Sequence, residues 1–358
     1  MSHPIIMDLL GHVISAEEAE MLQHNAVSGV LLFSRNVADR QQLCLLTQAI
    51  HALRPDLIIM IDHEGGNVQR IQRHGFRSLM SARSHGDVYN RDPIVGLDMA
   101  REYGEIMAQD LQACGIDVSL APVLDLHDAT SRIIGQLDRA FHADPDVITK
   151  LATAYIEGMH AAGMPSVGKH FPGHGSCGAD SHRELPVNHK TSEDLRASDL
   201  KPFIQLIKHQ TLDGVMPAHV LYPSIDSAHA TGYSRHWLQD ILRDELHFDG
   251  LIISDCLGMT GADIGDLKTR AHRALHSGCD VLIVANQTRA ALKQLINDIA
   301  DNLNPQSAAR IERFKQGIKR FQTQTTQPRS GYGSNFLNST AYSTEETLFN
   351  PQNPTQSI

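Results

Sequence analysis

Residues 169–182 read Lys-His-Phe-Pro-Gly-His-Gly-Ser-Cys-Gly-Ala-Asp-Ser-His, so a lysine, three histidines and an aspartate fall within one short stretch. Pro172 forbids helix continuation, and Gly173, Gly175 and Gly178 free the backbone to bend. Such a segment suits a site that grips an oxygen-rich substrate and moves protons. Asp180 and His182 stand two residues apart. An aspartate can accept from one imidazole nitrogen, fix the tautomer and raise its basicity, while the other nitrogen faces the reaction. The plainer reading is a solvated loop with an Asx-turn. Asp255 follows the apolar run 251–254 and is available as a nucleophile or base, or as an N-cap for the next helix. Lys169 and His170 are donors suited to hydroxyls, Asp62 can accept from vicinal hydroxyls, and Arg70 lies eight residues further on. Together they look like a polyol-binding site. His170, His174, Asp180 and His182 are also metal-ligand types. Against a metal centre, there is no His-Glu-x-x-His helix and no cysteine pair at ligand spacing, and the intervening Pro-Gly-x-Gly holds the imidazoles on different turns. The expectation is a site without metal or organic cofactor.

These residues need a frame. Short apolar runs recur at 5–9, 29–33, 57–61, 118–123, 166–169, 214–218, 251–254 and 281–284. They are rich in β-branched residues, bounded by Gly, Pro or Asp, and too short for helices, as buried parallel strands are. Amphipathic helix patterns lie between them, for example at 98–114, 146–162, 237–246 and 268–277. Eight strands alternating with helices predict a closed α/β (β/α)8 barrel, which typically needs ~250 residues. The rival, an open doubly wound sheet, would call for a Gly-rich phosphate loop after an early strand, and none is present. Active groups of a barrel gather at the C-terminal ends of its strands. Asp62, Lys169 with His170, His219 and Asp255 all stand at such ends and are expected to line one mouth. The barrel is expected over 1–322, as a single domain. From Thr323 the chain turns to Thr, Ser, Asn, Gln and Pro, and 323–358 reads as a polar tail.

Composition sets outer bounds. The chain has 358 residues, is 41% hydrophobic and 20% charged, and carries a formal charge of −10, which disfavours nucleic acid and anionic membrane as partners. Five cysteines without a pairing pattern fit a reducing compartment rather than a disulfide framework. The N-terminus has no basic region followed by an apolar core, and no apolar run approaches a membrane span. A cytoplasmic protein, acting as a monomer on a small molecule, is expected.

The motifs resemble glycoside hydrolase family 3, and within it the bacterial cytoplasmic β-N-acetylhexosaminidases of peptidoglycan recycling. The resemblance covers the N-terminus to about residue 322 and is carried by Lys169-His-Phe-Pro-Gly-His-Gly175 with Asp180-Ser-His182, by Ile61-Asp-His-Glu-Gly-Gly66 with Val68-Gln-Arg70, by Ala121-Pro-Val-Leu-Asp125, by Met216-Pro-Ala-His-Val220, and by Phe248-Asp-Gly-Leu-Ile-Ile-Ser-Asp255. It implies a retaining mechanism. Asp255 would attack the anomeric carbon, His182 would protonate the leaving oxygen and then deprotonate water, and Asp180 would orient His182. Asp62, Arg70, Arg139, Lys169 and His170 would bind the N-acetylglucosamine ring. The implied substrate is GlcNAc-β-1,4-anhydro-N-acetylmuramic acid, with or without peptide, from which the terminal non-reducing GlcNAc is released.

Several positions depart from the family pattern. His63 stands where Gln is common, and Cys256 and Gly258 replace the usual Asp and Ser. The segment Gly135-Gln-Leu-Asp-Arg139-Ala-Phe141 is two residues longer than usual, which bears on where Arg139 points. Three rival readings stay open: a glycoside phosphorylase on the same fold, a metal-dependent hydrolase using the His-rich loop, and a non-catalytic muropeptide sensor.

Overall fold

The computed structural model describes residues 4–72, 75–181, 183–299 and 304–325, with side chains up to residue 318. Every one of the eight apolar runs contains a parallel strand: β1 (Ile5–Asp8), β2 (Val27–Leu32), β3 (Ile58–Ile61), β4 (Val118–Ser119), β5 (Val167–Phe171), β6 (Gly214–Pro217), β7 (Leu251–Ile252) and β8 (Leu282–Val284). They pair in the orders β8-β1-β2-β3-β4 and β5-β6-β7. Two isolated parallel bridges, Val123 with Lys169 and Ile253 with Val281, join these sheets at both edges. The result is a ring, a single (β/α)8 barrel.

Strand periodicity explains how the ring is filled. Successive side chains point to opposite faces. Ile6, Met60, Val167, Met216, Ile253 and Ile283 accordingly belong to one buried cluster, in the barrel interior, while their neighbours Ile5, Met7, Ile59 and Ile61 pack with the surrounding helices in another. Both faces are buried, so the strands are near-continuous apolar runs in sequence. The helix Pro305–Thr325 contributes Ile311, Phe314 and Ile318 to the interior cluster. It closes the end where the strands begin: Arg310 and Arg313 pair with Asp249 ahead of β7, and Lys315 pairs with Asp56 ahead of β3.

The helices start where capping chemistry places them. Ser15 and Glu18 form a capping box, and Asp92-Pro93 and Asp144-Pro145 each combine an N-cap aspartate with proline at the first helical position. The four expected helices are present as Pro93–Gln112, Pro145–Ala162, His236–Glu245, which has π-type turns, and Leu267–Ser277. Three features differ from expectation. The run 118–123 is a strand only at Val118–Ser119, because Pro122 has no amide to donate. A small antiparallel hairpin, His63–Gly65 with Val68–Gln69, follows β3. The last helix continues through Thr325, past the expected boundary at 322, so 323–325 is helical, and the rest of the expected tail, 326–358, lies outside the described residues. All five cysteines carry free thiols. Among the described residues no helix is long and apolar enough to cross a membrane.

Candidate active site

A cavity of about 320 Å³ opens at the end of the barrel where the strands finish. Leu31, Leu120, Met216 and Ile283, the top layer of the barrel interior, form its apolar floor. Its walls carry Asp62, Arg70, Arg139, Lys169, His170 and Asp255. An apolar floor under a polar wall fits a sugar ring, which presents a C–H face and a rim of hydroxyls.

Asp62 sits one residue beyond β3. Its Oδ1 accepts from Lys169 Nζ at 2.7 Å, and its Oδ2 lies 3.4 Å from the Arg70 guanidinium. Burial alone would raise the Asp62 carboxyl, but Lys169, Arg70 and Arg139 outweigh it and hold it well below the usual carboxylate range. Arg70 is itself held over the Phe33 ring, 5.7 Å from its centroid. Lys169 and His170 are consecutive residues of β5, yet both line the cavity, at the point where pairing with β6 shifts register.

His170 is oriented from behind. Its Nδ1 lies 2.7 Å from Asp125 Oδ2, and its backbone N–H donates to Asp125 Oδ1. The backbone N–H of His174 donates to the same oxygen at 2.6 Å. One fully buried carboxylate therefore ties the end of β5 to the start of the glycine-rich loop. Burial would raise Asp125, but His170 and His174 bring it below its ordinary value. The His174 ring lines the cavity, 6.0 Å from that of His170. Burial, reinforced by His170, pushes its pKa to about 4, so it is neutral near pH 7.

Asp255 lies beyond β7 and faces the cavity. The Cys256 N–H donates to its Oδ1 at 2.7 Å. It caps no described helix: Met259 precedes the 3-10 turn Thr260–Ala262, and the next α-helix, Leu267–Ser277, is capped by Asp266. Cys256 lines the cavity beside it, its thiol pushed up to about 11 by burial. Gly258 leaves room there, since a Cβ would come within 2.5 Å of the Ala285 carbonyl.

The glycine-rich loop returns toward the same opening. Ser181 and Arg183 line the cavity, and the Ser181 carbonyl accepts from Gly261 N–H at 2.8 Å. The Asp180 carbonyl accepts from the amides of Arg183 and Glu184, and its carboxylate lies 3.6 Å from Arg183 Nε. His182 lies outside the described residues.

One expectation changes. His219 does not join the wall: it is 1% exposed, packed 5.5 Å from the Tyr233 ring, and it neighbours Asp255 from within the protein. Arg139 reaches the cavity in spite of the two extra residues before it, because the segment folds back on itself: Asp138 takes φ 54°, and Arg139 N–H donates to the Ile134 carbonyl at 3.0 Å. Among the described residues no group of three His, Cys, Asp or Glu side chains could hold a metal ion.

Sequence reasoning passed over Glu64. Its carboxylate receives the Arg139 guanidinium through two bonds, Nε at 2.9 Å and Nη2 at 2.8 Å, and Lys169 Nζ stands 2.6 Å away. Burial would raise it, but Arg139 and Lys169 bring its pKa down to about 2. The available signal was spacing: Asp62 and Glu64 are two residues apart on extended backbone and so share a face.

The glycosyl hydrolase family 3 N terminal domain matches residues 6–320. A beta-hexosaminidase of Bordetella avium (strain 197N) is 45% identical over 315 residues, covering 87% of each chain. That of Idiomarina loihiensis is 48% identical over 312 residues, covering 87% of this chain and 92% of its own. NagZ from Neisseria gonorrhoeae, solved in complex with N-trifluoroacetyl-D-glucosamine, superposes with a TM-score of 0.81 at 36% identity, over 90% of this chain and 96% of that one. With its barrel, its cavity at the strand ends and a match of this extent, the chain belongs to glycosyl hydrolase family 3.

Proposed function

We propose that this chain is a retaining exo-β-N-acetylglucosaminidase that releases terminal GlcNAc from GlcNAc-β-1,4-anhydro-N-acetylmuramic acid and its peptide-bearing forms, in the cytoplasm, during peptidoglycan recycling. At the level of reaction class it is a β-N-acetylhexosaminidase, a glycoside hydrolase. The finer reading is supported above all by one observation: Asp255 and the polar set Asp62, Arg70, Arg139, Lys169 and His170 converge on a single cavity with an apolar floor. The gonococcal relative carries an N-acylated glucosamine.

In this reading the sugar ring lies on the floor, with its hydroxyls toward Asp62, Lys169 and His170. Asp255 attacks the anomeric carbon as the bond to the leaving oxygen breaks, and a covalent glycosyl-enzyme forms. His182 gives its proton to the leaving oxygen, then takes one from the water that attacks the anomeric carbon and frees Asp255. Asp180 holds His182 in the required tautomer. Most retaining glycosidases pair two carboxylates; here an Asp-His pair takes the place of the second. The imidazole must be charged for the first step and neutral for the second, so the rate follows a bell-shaped pH profile.

The test is release of p-nitrophenol from its β-N-acetylglucosaminide with EDTA present and phosphate absent. Wild type turns over, Asp255→Ala loses turnover, and His182→Ala is strongly reduced. A wild type that needs phosphate is a phosphorylase, and one that is silent until zinc is restored is a metallohydrolase; either result sinks the proposal.

A further inference from the structure

We propose that Glu64 is the positioning residue that aims Lys169 and Arg139 into the sugar cavity. This rests on the reading that the cavity binds an N-acetylglucosamine ring. Lys169 and Arg139 line that cavity; Glu64 stands behind them, with Arg139, His85, Phe141 and Tyr155 around a second, smaller pocket. It acts on the substrate through its partners.

Counting donors shows what Glu64 fixes. Arg139 spends Nε–H and one Nη2–H on Glu64, and one Nη1–H on the Ile133 carbonyl. That leaves one N–H on each terminal nitrogen. Lys169 donates to Asp62 Oδ1, and its Nζ is paired as an ion with Glu64 Oε1 at 2.6 Å. An ammonium so held turns a further N–H to a hydroxyl. A lysine is otherwise a freely rotating point charge on a long stem. Held between two carboxylates two residues apart, it becomes a donor of fixed direction.

Glu64 also protects Asp62. Three cations, Arg70, Arg139 and Lys169, face two carboxylates here. Because Glu64 carries the Arg139 fork, Asp62 keeps its Oδ2 only loosely engaged, 3.4 Å from Arg70, with its side chain 20% exposed toward the cavity. Without the Glu64 charge, Asp62 is the carboxylate left in direct contact with these cations and is drawn back from the sugar toward them.

The experiment measures steady-state hydrolysis of p-nitrophenyl β-N-acetylglucosaminide and calorimetric binding of free N-acetylglucosamine, on wild type, Glu64→Gln and Glu64→Asp. Glu64→Gln is expected to raise KM and the Kd for N-acetylglucosamine together, by about tenfold or more, the scale of one lost charge-assisted hydrogen bond. kcat falls by a smaller factor, because the lost contact serves ground state and transition state alike. The alkaline rise in KM moves to lower pH, since Lys169 loses one of the two charges that keep it protonated. Glu64→Asp, charged but too short to reach both cations at once, lies between wild type and Glu64→Gln. A folded Glu64→Gln with wild-type KM and Kd overturns the inference. If Glu64→Gln does not fold, Glu64→Asp decides alone: a raised KM supports the inference and a wild-type KM overturns it. A wild type that neither hydrolyses the glycoside nor binds N-acetylglucosamine removes the reading of the cavity itself, and this inference falls with it.

Discussion

Lys169 is 2% exposed and yet charged, which is affordable only because Asp62 and Glu64 meet it at 2.7 and 2.6 Å. The same contacts make those carboxylates sensitive to acid. Their folded pKa values are depressed, Glu64 to about 2 and Asp62 further, so the stability they contribute is present above their unfolded values and is lost as pH falls toward the folded ones. Wild type should therefore lose stability steeply between about pH 4.5 and 2.5. Glu64→Gln, less stable at pH 7, should show a shallower decline, read as urea midpoints against pH; equal slopes would show that Glu64 does not titrate in this way. Asp62, Lys169, His170 and Asp255 were legible in the sequence because each ends an apolar run, and strand ends are where a barrel gathers its chemistry. Glu64 and Asp125 were not assigned roles, since a supporting carboxylate is identified only by what lies above it. His219 followed the strand-end rule and still missed the cavity: the rule fixes which end of a strand a residue occupies, and packing on Tyr233 decides which way the ring turns.

The glycine-rich loop carries the same logic to the scale of an element. Gly175 passes so close to the Leu126 carbonyl that a Cβ would stand 1.9 Å from its oxygen. Backbone meets backbone there, so no side chain can yield to make room. Gly175→Ala should shift the loop that bears Asp180 and His182, lowering kcat/KM by about tenfold or more while the protein stays folded; kcat/KM unchanged from wild type would mean that the loop position does not govern turnover. The strands and main helices were readable because burial on both faces leaves an unbroken apolar run, and because caps such as Asp144-Pro145 mark starts. The hairpin at His63–Gly65 was not: strands of three and two residues have too little pattern to read.

On the scale of the whole molecule, the barrel separates its tasks by end. The helix Pro305–Thr325 seals the opening where the strands begin, and the cavity occupies the opposite end. Between them runs a ring whose two halves meet through single bridges instead of full ladders. One of these seams passes through Lys169: its carbonyl accepts from Leu124 N–H at 2.6 Å, and its own N–H donates to the Pro122 carbonyl at 3.2 Å. The lysine proposed to grip the sugar is thus also a stitch between the halves. Occupancy of the cavity and opening of this joint are then thermodynamically linked, and a ligand that favours the closed joint lengthens the lifetime of its amide protons. Saturating N-acetylglucosamine should slow deuterium uptake at Leu124 and Lys169 while leaving the far joint, at Ser254, unchanged; equal protection of both would mean that the ring stiffens as one body. If the two joints do respond separately, the enzyme senses its substrate along a line of backbone amides, and the closed ring has a place where it breathes.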